Sequence, residues 1–286
     1  MPKPFVYVED LAKRYAARGR QGELVVFENL SFGVERGEFV SLIGHSGCGK
    51  STVLNLIAGL DRASQGYVFV NQRAVEGPGL SRGVIFQNHS LLPWLSALDN
   101  VIFSVRARHP DWDSDRIREH SRQFLKLVGL QGVEARKPAQ LSGGMRQRVG
   151  IARAFAIEPE MLLMDEPFGA LDALTRASIQ DELIGLWQQV KQTIVMITHD
   201  VDEALYLCDR VLVMSDGPRA RIAEVLTVDL PRPRVRAELL RSSRYHELRA
   251  HLLEFLTHGA RARPDALQPA ATPMPLAIGA ALETNE

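Results

Sequence analysis

Gly44-His45-Ser46-Gly47-Cys48-Gly49-Lys50-Ser51-Thr52 follows directly on the apolar run Phe39-Val40-Ser41-Leu42-Ile43. The stretch fits the phosphate-loop pattern G-x-x-x-x-G-K-[ST], and an apolar strand before it with a helical pattern after it is the setting that pattern requires. Val53, Leu54, Leu56, Ile57 and Leu60 supply the helical pattern. The spacing has a physical reason. Glycines let the backbone curl until successive N–H groups face phosphate oxygens, and the helix behind adds its positive end. Lys50 then reaches the β- and γ-phosphates and Ser51 ligates Mg²⁺.

Many enzymes share such a loop, so the segments downstream decide among them. Leu141-Ser142-Gly143-Gly144-Met145-Arg146-Gln147-Arg148 is followed by Met161-Leu162-Leu163-Met164-Asp165-Glu166-Pro167, by Ala170-Leu171-Asp172 and by Thr198-His199-Asp200. Each alone has an ordinary reading. Ser-Gly-Gly is common in flexible loops, an Asp-Glu pair can be a solvated strand end, and His199 can cap the helix that follows. Their joint occurrence in one order resembles the ATP-binding cassette (ABC) family, with signature sequence, Walker B strand, D-loop and switch histidine in turn. Upstream, Phe86-Gln87 resembles the Q-loop, and Tyr15 the aromatic residue that stacks on adenine, although a surface aromatic is an equal reading for Tyr15. The resemblance runs from about Tyr15 to Gly217.

The resemblance implies a division of labour. Asp165, at the end of a buried strand, and Gln87 join Ser51 around Mg²⁺, and Gln87 also senses the attacking water as a catalytic residue. Glu166 orients and deprotonates the attacking water, and His199 hydrogen-bonds the γ-phosphate. ATP is the nucleotide, held by Tyr15 and by Gly44 through Thr52. In the family the signature lies too far from its own phosphate loop to reach the same nucleotide. Ser142, Gly143, Gly144 and the D-loop Asp172 therefore complete the site of a second ABC ATPase subunit in a head-to-tail dimer. Met145 departs from the commoner Gln, which removes a side-chain amide and leaves the backbone contacts.

Composition narrows the remaining choices. The chain has 286 residues, 45% of them apolar, with Lys+Arg 34 against Asp+Glu 34. That is enough for a sizeable core, and the zero formal charge gives no reason to expect a nucleic-acid partner. Arginines cluster between Arg232 and Arg244, which reads as a solvated helix and loop or as a lipid or partner patch. Cys48 and Cys208 are isolated, so a reducing compartment is expected, with Cys48 open to alkylation. No apolar run reaches bilayer length, which assigns any membrane pathway to separate permease subunits.

Alternating apolar runs predict strands at Phe5–Val8, Val25–Leu30, Phe39–Ile43, Val68–Val70, Gly83–Phe86, Met161–Asp165, Thr193–Thr198, Arg210–Ser215 and Arg221–Val228. Helical periods dominate from Asp99 to Ala156, and further helices are predicted at about Leu174–Gln189, Val201–Leu207 and Arg244–Leu256. The fold class is α/β: a P-loop NTPase of ABC type, with a mostly parallel core sheet, an antiparallel β flank and an inserted helical subdomain. Residues 1–86 and 157–230 form the ATP-binding core with its flank, and 87–156 the Q-loop and helical signature subdomain. Residues 231–257 form a helical extension, and 258–286 a tail rich in Ala, Pro and Thr that is expected to be disordered.

Leu91, Leu92 and Trp94, beside Pro93, form an apolar cluster suited to a socket for a permease helix. The wording around the Q-loop and beyond Gly217 resembles the nitrate, nitrite, cyanate and bicarbonate importer group, with taurine and aliphatic sulfonate importers as near relatives. That implies a peripheral ATPase on the cytoplasmic face of a bacterial inner membrane, served through its permease by a periplasmic or lipid-anchored solute-binding protein. A soluble ABC ATPase of DNA maintenance is the remote alternative. Such proteins carry coiled-coil or metal-binding insertions between loop and signature, and Lys50 to Leu141 has neither heptads nor Cys clusters.

Overall fold

A computed structural model describes residues 4–16, 22–88 and 90–258. The expected tail, residues 258–286, falls outside the described residues beyond His258. The strands are β1 (Val6–Ala16), β2 (Glu23–Val34), β3 (Phe39–Ile43), β4 (Gln65–Val70), β5 (Arg73–Ala74), β6 (Arg82–Ile85), β7 (Met161–Asp165), β8 (Thr193–Ile197), β9 (Arg210–Met214) and β10 (Ile222–Thr227). The α-helices are α1 (Lys50–Ala58), α2 (Ala97–Arg108), α3 (Ser114–Leu127), α4 (Gly143–Ala156), α5 (Ala173–Val190), α6 (Val201–Leu207), α7 (Arg236–Leu239) and α8 (Ser243–His258).

The core sheet has the order β10-β9-β3-β8-β7-β6. Its neighbours from β9 to β6 run parallel, with β10 antiparallel at one edge. Being covered on both faces, β3 and β8 are buried at every residue, which is why they read as continuous apolar runs. The period of two survives in what each side chain meets. Val40, Leu42, Leu163, Val195 and Leu212 pack with α1 and the flank, whereas Phe39, Ile43, Leu162, Ile194 and Val211 join the core built with α4 and α5.

The flank is an antiparallel sheet of order β2-β1-β4-β5 that packs across α1. Here the strands outrun the alternation expected from sequence, because β1 is bulged between Val8 and Leu11, again before Lys13, and again before Arg14. Each bulge shifts the inside-outside register, so the polar-apolar pattern ends where the strand does not. The two-residue β5 was not anticipated; Asn71 and Gln72, both with positive φ, make the tight turn that returns β4 into it.

The segment between β6 and β7 carries α2, α3 and α4, which pack against one another. Ser96, Asp113 and Ser142 cap them, each side chain accepting a first-turn backbone N–H. Buried Asn100 on α2 accepts from the Leu92 N–H at 2.8 Å and donates to the carbonyls of Leu92, Leu95 and Ser96. It fixes the stretch after the Q-loop, and Trp94 is left 66% exposed.

The Arg232–Arg244 cluster is split: Arg241 and Arg244 are exposed, as the solvated reading expects, whereas Arg232 and Arg234 turn inward. Arg234 is buried and donates to the carbonyls of Leu205, Tyr206 and Cys208 at the end of α6, and to those of Val228 and Leu230. Burial draws its guanidinium down to about 10. Arg232 pairs with Asp209 at 2.7 Å and lies over the Trp187 ring. These arginines are satisfied inside the fold by carbonyls left open at a helix end.

Candidate functional site

The phosphate loop joins β3 to α1 with Gly44, Gly47 and Gly49 all at positive φ. At Gly49 the demand is also steric, since a Cβ there would stand 2.7 Å from a Val26 methyl and 2.8 Å from the Phe27 ring. Gly49 caps α1 without a side-chain acceptor, and no acidic residue occupies the first turn. The open N–H groups of this helix end and their dipole therefore face the loop. Lys50 is buried, and its ammonium folds back to donate to the carbonyls of Gly44 at 2.7 Å and His45 at 2.9 Å. His45 Nδ1 stands 2.6 Å from Asp216 at the loop's rim, a partner that no motif announced. Ser46 and Thr52 complete the run. Cys48 departs from expectation. It is buried, and burial pushes its thiol pKa up, so it is a packing residue and not an open alkylation site.

The carboxyl end of β7 supplies the carboxylates. Ser51 Oγ donates to Asp165 Oδ1 at 3.1 Å, joining the start of α1 to the end of β7. Burial raises the Asp165 pKa, the adjacent Glu166 adds to this, and the Ser51 hydrogen bond and Lys50 oppose it. Glu166 has φ 44, a left-handed conformation uncommon for a side chain with Cβ, and its N–H donates to the Ile197 carbonyl at 3.0 Å. Its carboxylate sits between polar side chains from two distant segments. Gln87 Nε2 donates to Oε2 at 3.1 Å, and His199 Nδ1 lies 3.5 Å from Oε1. Ser51, Gln87, Asp165, Glu166 and His199 thus converge at the carboxyl ends of parallel strands, where open α/β sheets place their ligands.

The oxygen donors of Ser51 and Asp165 suit a hard cation. Among the described residues no group of three or more His, Cys, Asp or Glu is arranged to cage a metal. A cation bound through one carboxylate, a hydroxyl and a substrate's phosphates matches the habit of Mg²⁺.

The signature lies on another element. Ser142 caps α4, accepting the Met145 N–H at 3.2 Å, with Gly143 and Gly144 in the first turn. Gly144 has a second reason to be glycine, because a Cβ would lie 2.5 Å from the Thr175 methyl on α5. Asp172 caps α5, and the Thr175 backbone N–H holds its carboxyl below the usual range. Arg176 ties these loops together, donating to Leu171 O at 3.1 Å and to Asp200 at 3.3 Å. Sequence offered no signal for Arg176 beyond an arginine one turn into a helix. Tyr15, at the end of β1, is half exposed; its hydroxyl donates to Asp61 at 3.2 Å and Lys13 lies 4.8 Å from its ring centroid.

A phosphate loop on a parallel sheet, a Ser-Asp pair beneath it, a Glu held by Gln and His, and a helix-capping Ser-Gly-Gly define an ATP-binding cassette ATPase. Residues 27–169 match the profile of the ABC transporter family, and the chain belongs to that family. It is 49% identical over 255 residues to the nitrate transport protein NasD of Klebsiella oxytoca, covering 89% of this chain and 97% of that one. It is 48% identical over 236 residues to the nitrate import ATP-binding protein NrtD of Synechococcus elongatus, covering 82% and 86%. The bicarbonate transport ATP-binding protein CmpD of the same species is 45% identical over 253 residues, covering 88% and 90%. Among solved structures, the dimeric ATP-binding cassette MJ0796 in a post-hydrolysis state bound to ADP and Pi superposes with a TM-score of 0.70 at 30% identity, covering 79% of this chain and all (100%) of that one.

Proposed function

We propose that this chain is the ATP-hydrolysing subunit of an importer for nitrate, nitrite or a similar small anion. It works in pairs on the cytoplasmic face of a bacterial inner membrane, against permease subunits fed by a solute-binding protein. Residues 1–86 and 157–230 form the ATP-binding core, 87–156 the signature subdomain, and 231–257 an extension. Support for the cargo comes from the nitrate and bicarbonate relatives. Support for the chemistry comes from one observation, the meeting of Gln87, Glu166 and His199 at the end of β7.

ATP enters with its phosphates on the N–H groups of Gly44 through Thr52 and its adenine against Tyr15. Lys50 gives up the Gly44 and His45 carbonyls for phosphate oxygens, exchanging neutral acceptors for charged ones. Ser51, Asp165 and Gln87 would hold Mg²⁺, which would supply positive charge to offset that of the phosphates. Glu166 takes the proton of the attacking water, and His199 donates to the γ-phosphoryl oxygen on which charge develops. The phosphate's remaining face is covered by Ser142, Gly143 and Gly144 of a second subunit, with that subunit's Asp172 alongside. Hydrolysis removes the group that both subunits grip, and the pair opens.

Glu166→Gln keeps the shape and the Gln87 contact while removing the base. Hydrolysis is expected to fall by about a hundredfold or more, with ATP still bound and a dimer persisting in light scattering. Wild-type turnover in this variant would remove Glu166 from the chemistry.

A further inference from the structure

The C-terminal extension grips the short helix that leaves the switch histidine at both ends. The seven residues of α6 begin two positions after His199. The far end of α6 is held by Arg234, which donates to the carbonyls of Leu205, Tyr206 and Cys208, and by Arg232, which donates to Leu207 O at 2.6 Å. Its first turn is held by α8, where Tyr245 donates to Asp202 Oδ1 at 2.6 Å and Arg249 Nε to the same atom at 2.6 Å. Beneath it runs a continuous chain of polar side chains. Arg236 on α7 donates to Gln180 Oε1 at 2.7 Å, and Gln180 Nε2 donates to Glu203 Oε1 at 2.7 Å. From Glu203 the chain reaches the switch turn through the backbone: the Glu203 N–H donates to Asp200 Oδ1 at 3.1 Å, and the Asp200 N–H donates to Thr198 Oγ1 at 3.0 Å.

Gln180, Thr198 and Glu203 are all buried, so each has to satisfy its polar atoms within this chain. Thr198 and Asp200 flank His199 on either side, and their mutual hydrogen bond sets the backbone on which the imidazole rides. A helix this short lacks the length to hold its own direction, and its direction comes from what grips it.

We propose that the extension, residues 231–257, positions the switch histidine, with Arg236, Gln180 and Glu203 as the residues that transmit its grip to the Thr198–Asp200 turn. These are positioning residues: none touches nucleotide, and each acts through His199. The inference rests on the reading of His199 as the γ-phosphate donor.

The test is a double-mutant cycle in the full-length protein between His199→Ala and two separate disruptions of the grip, Arg236→Ala and the pair Tyr245→Phe with Arg249→Ala. Arg236 and Arg249 are both partly exposed, and their hydrogen-bond partners lie on α5 and α6 and not in the phosphate loop, so ATP affinity serves as the control for folding. Each disruption is expected to lower kcat about five- to tenfold with KM for ATP within about twofold, and to have no further effect in the His199→Ala background. Arg236→Lys, which keeps one donor toward Gln180, is expected to restore part of the loss. Disruptions that leave kcat unchanged, that raise KM in step with the loss of kcat, or that add fully to His199→Ala overturn the proposal. If His199→Ala alone leaves hydrolysis intact, the reading of the histidine fails first and the proposal with it. If His199→Ala is inactive while the disruptions are silent, only the proposal fails.

Discussion

At the scale of single residues, the site is a set of charges whose neighbours decide their state, and Glu203 is the case with the largest consequence for stability. It is buried behind the switch loop, faced by Gln180 and Thr198, with the charges of Asp200 and Arg176 acting on it. Burial, reinforced by Asp200 and opposed by the two hydrogen bonds and Arg176, raises its pKa from 4.5 to about 7. In the unfolded chain the group ionises near its ordinary value. Between pH 4.5 and 7 the folded state therefore holds a proton that the unfolded state has lost, and stability falls as pH rises through that window. A shift of this size is equivalent to about 3 kcal/mol. Glu203→Gln removes the ionisation with little change of shape. The expected result is a Tm that declines across this window in the wild type and stays flat by several degrees' difference, roughly 5–10 °C, in the variant. Parallel Tm profiles would show that the carboxylate is solvated after all.

Elements show how far sequence carried and where it stopped. The phosphate loop, Walker B strand, signature helix and switch loop were legible because each packs a demanding chemistry into adjacent residues: glycines at positive φ, an apolar strand ending in Asp-Glu, a serine capping a helix. The bulged part of β1, the hairpin into β5 and the inward arginines were not legible. Bulges destroy the period on which a strand is recognised, and an arginine is read as solvated until the carbonyls it meets are known. Asn100 was missed for the same reason, since its partners in the Leu92–Ser96 stretch identify themselves only once α2 is in place. Asn100→Ala strips the Leu92 N–H and three carbonyls of their buried partner. The expected cost is about 2–3 kcal/mol in denaturant unfolding. Because Trp94 rides on this stretch, its fluorescence is expected to become more mobile, read as a fall in anisotropy beyond that seen at Trp112 and Trp187 when each is isolated by replacing the other two. An unchanged Trp94 signal would mean that Asn100 serves packing alone.

For the whole molecule, the central question is whether one chain holds a complete site. The phosphate loop and its carboxylates lie between β3, β7 and α1, while the Ser142 cap opens the helical subdomain on α4, which packs with α2 and α3. A site shared across a two-fold axis makes a prediction that no arrangement within one chain can imitate. Lys50→Ala destroys the phosphate grip and leaves the signature, while Ser142→Arg blocks the signature and leaves the grip. Each pure protein is expected to be inactive. In an equimolar mixture half of the dimers combine one of each, and each of those unites an intact loop with an intact signature at one of its two sites. About a quarter of wild-type hydrolysis is then the statistical ceiling for independent sites, and any clear recovery above both parents establishes sharing. The assay is phosphate release on mixing, repeated with disulfide-free, tagged chains so that mixed dimers can be isolated and counted. Isolated mixed dimers that stay as inactive as their parents would count against a shared site unless both sites must fire together, and that case is settled by the same dimers: a shared site still binds ATP tightly at one position, whereas two self-contained sites, one broken at the loop and one at the signature, would show the single-mutant affinities side by side.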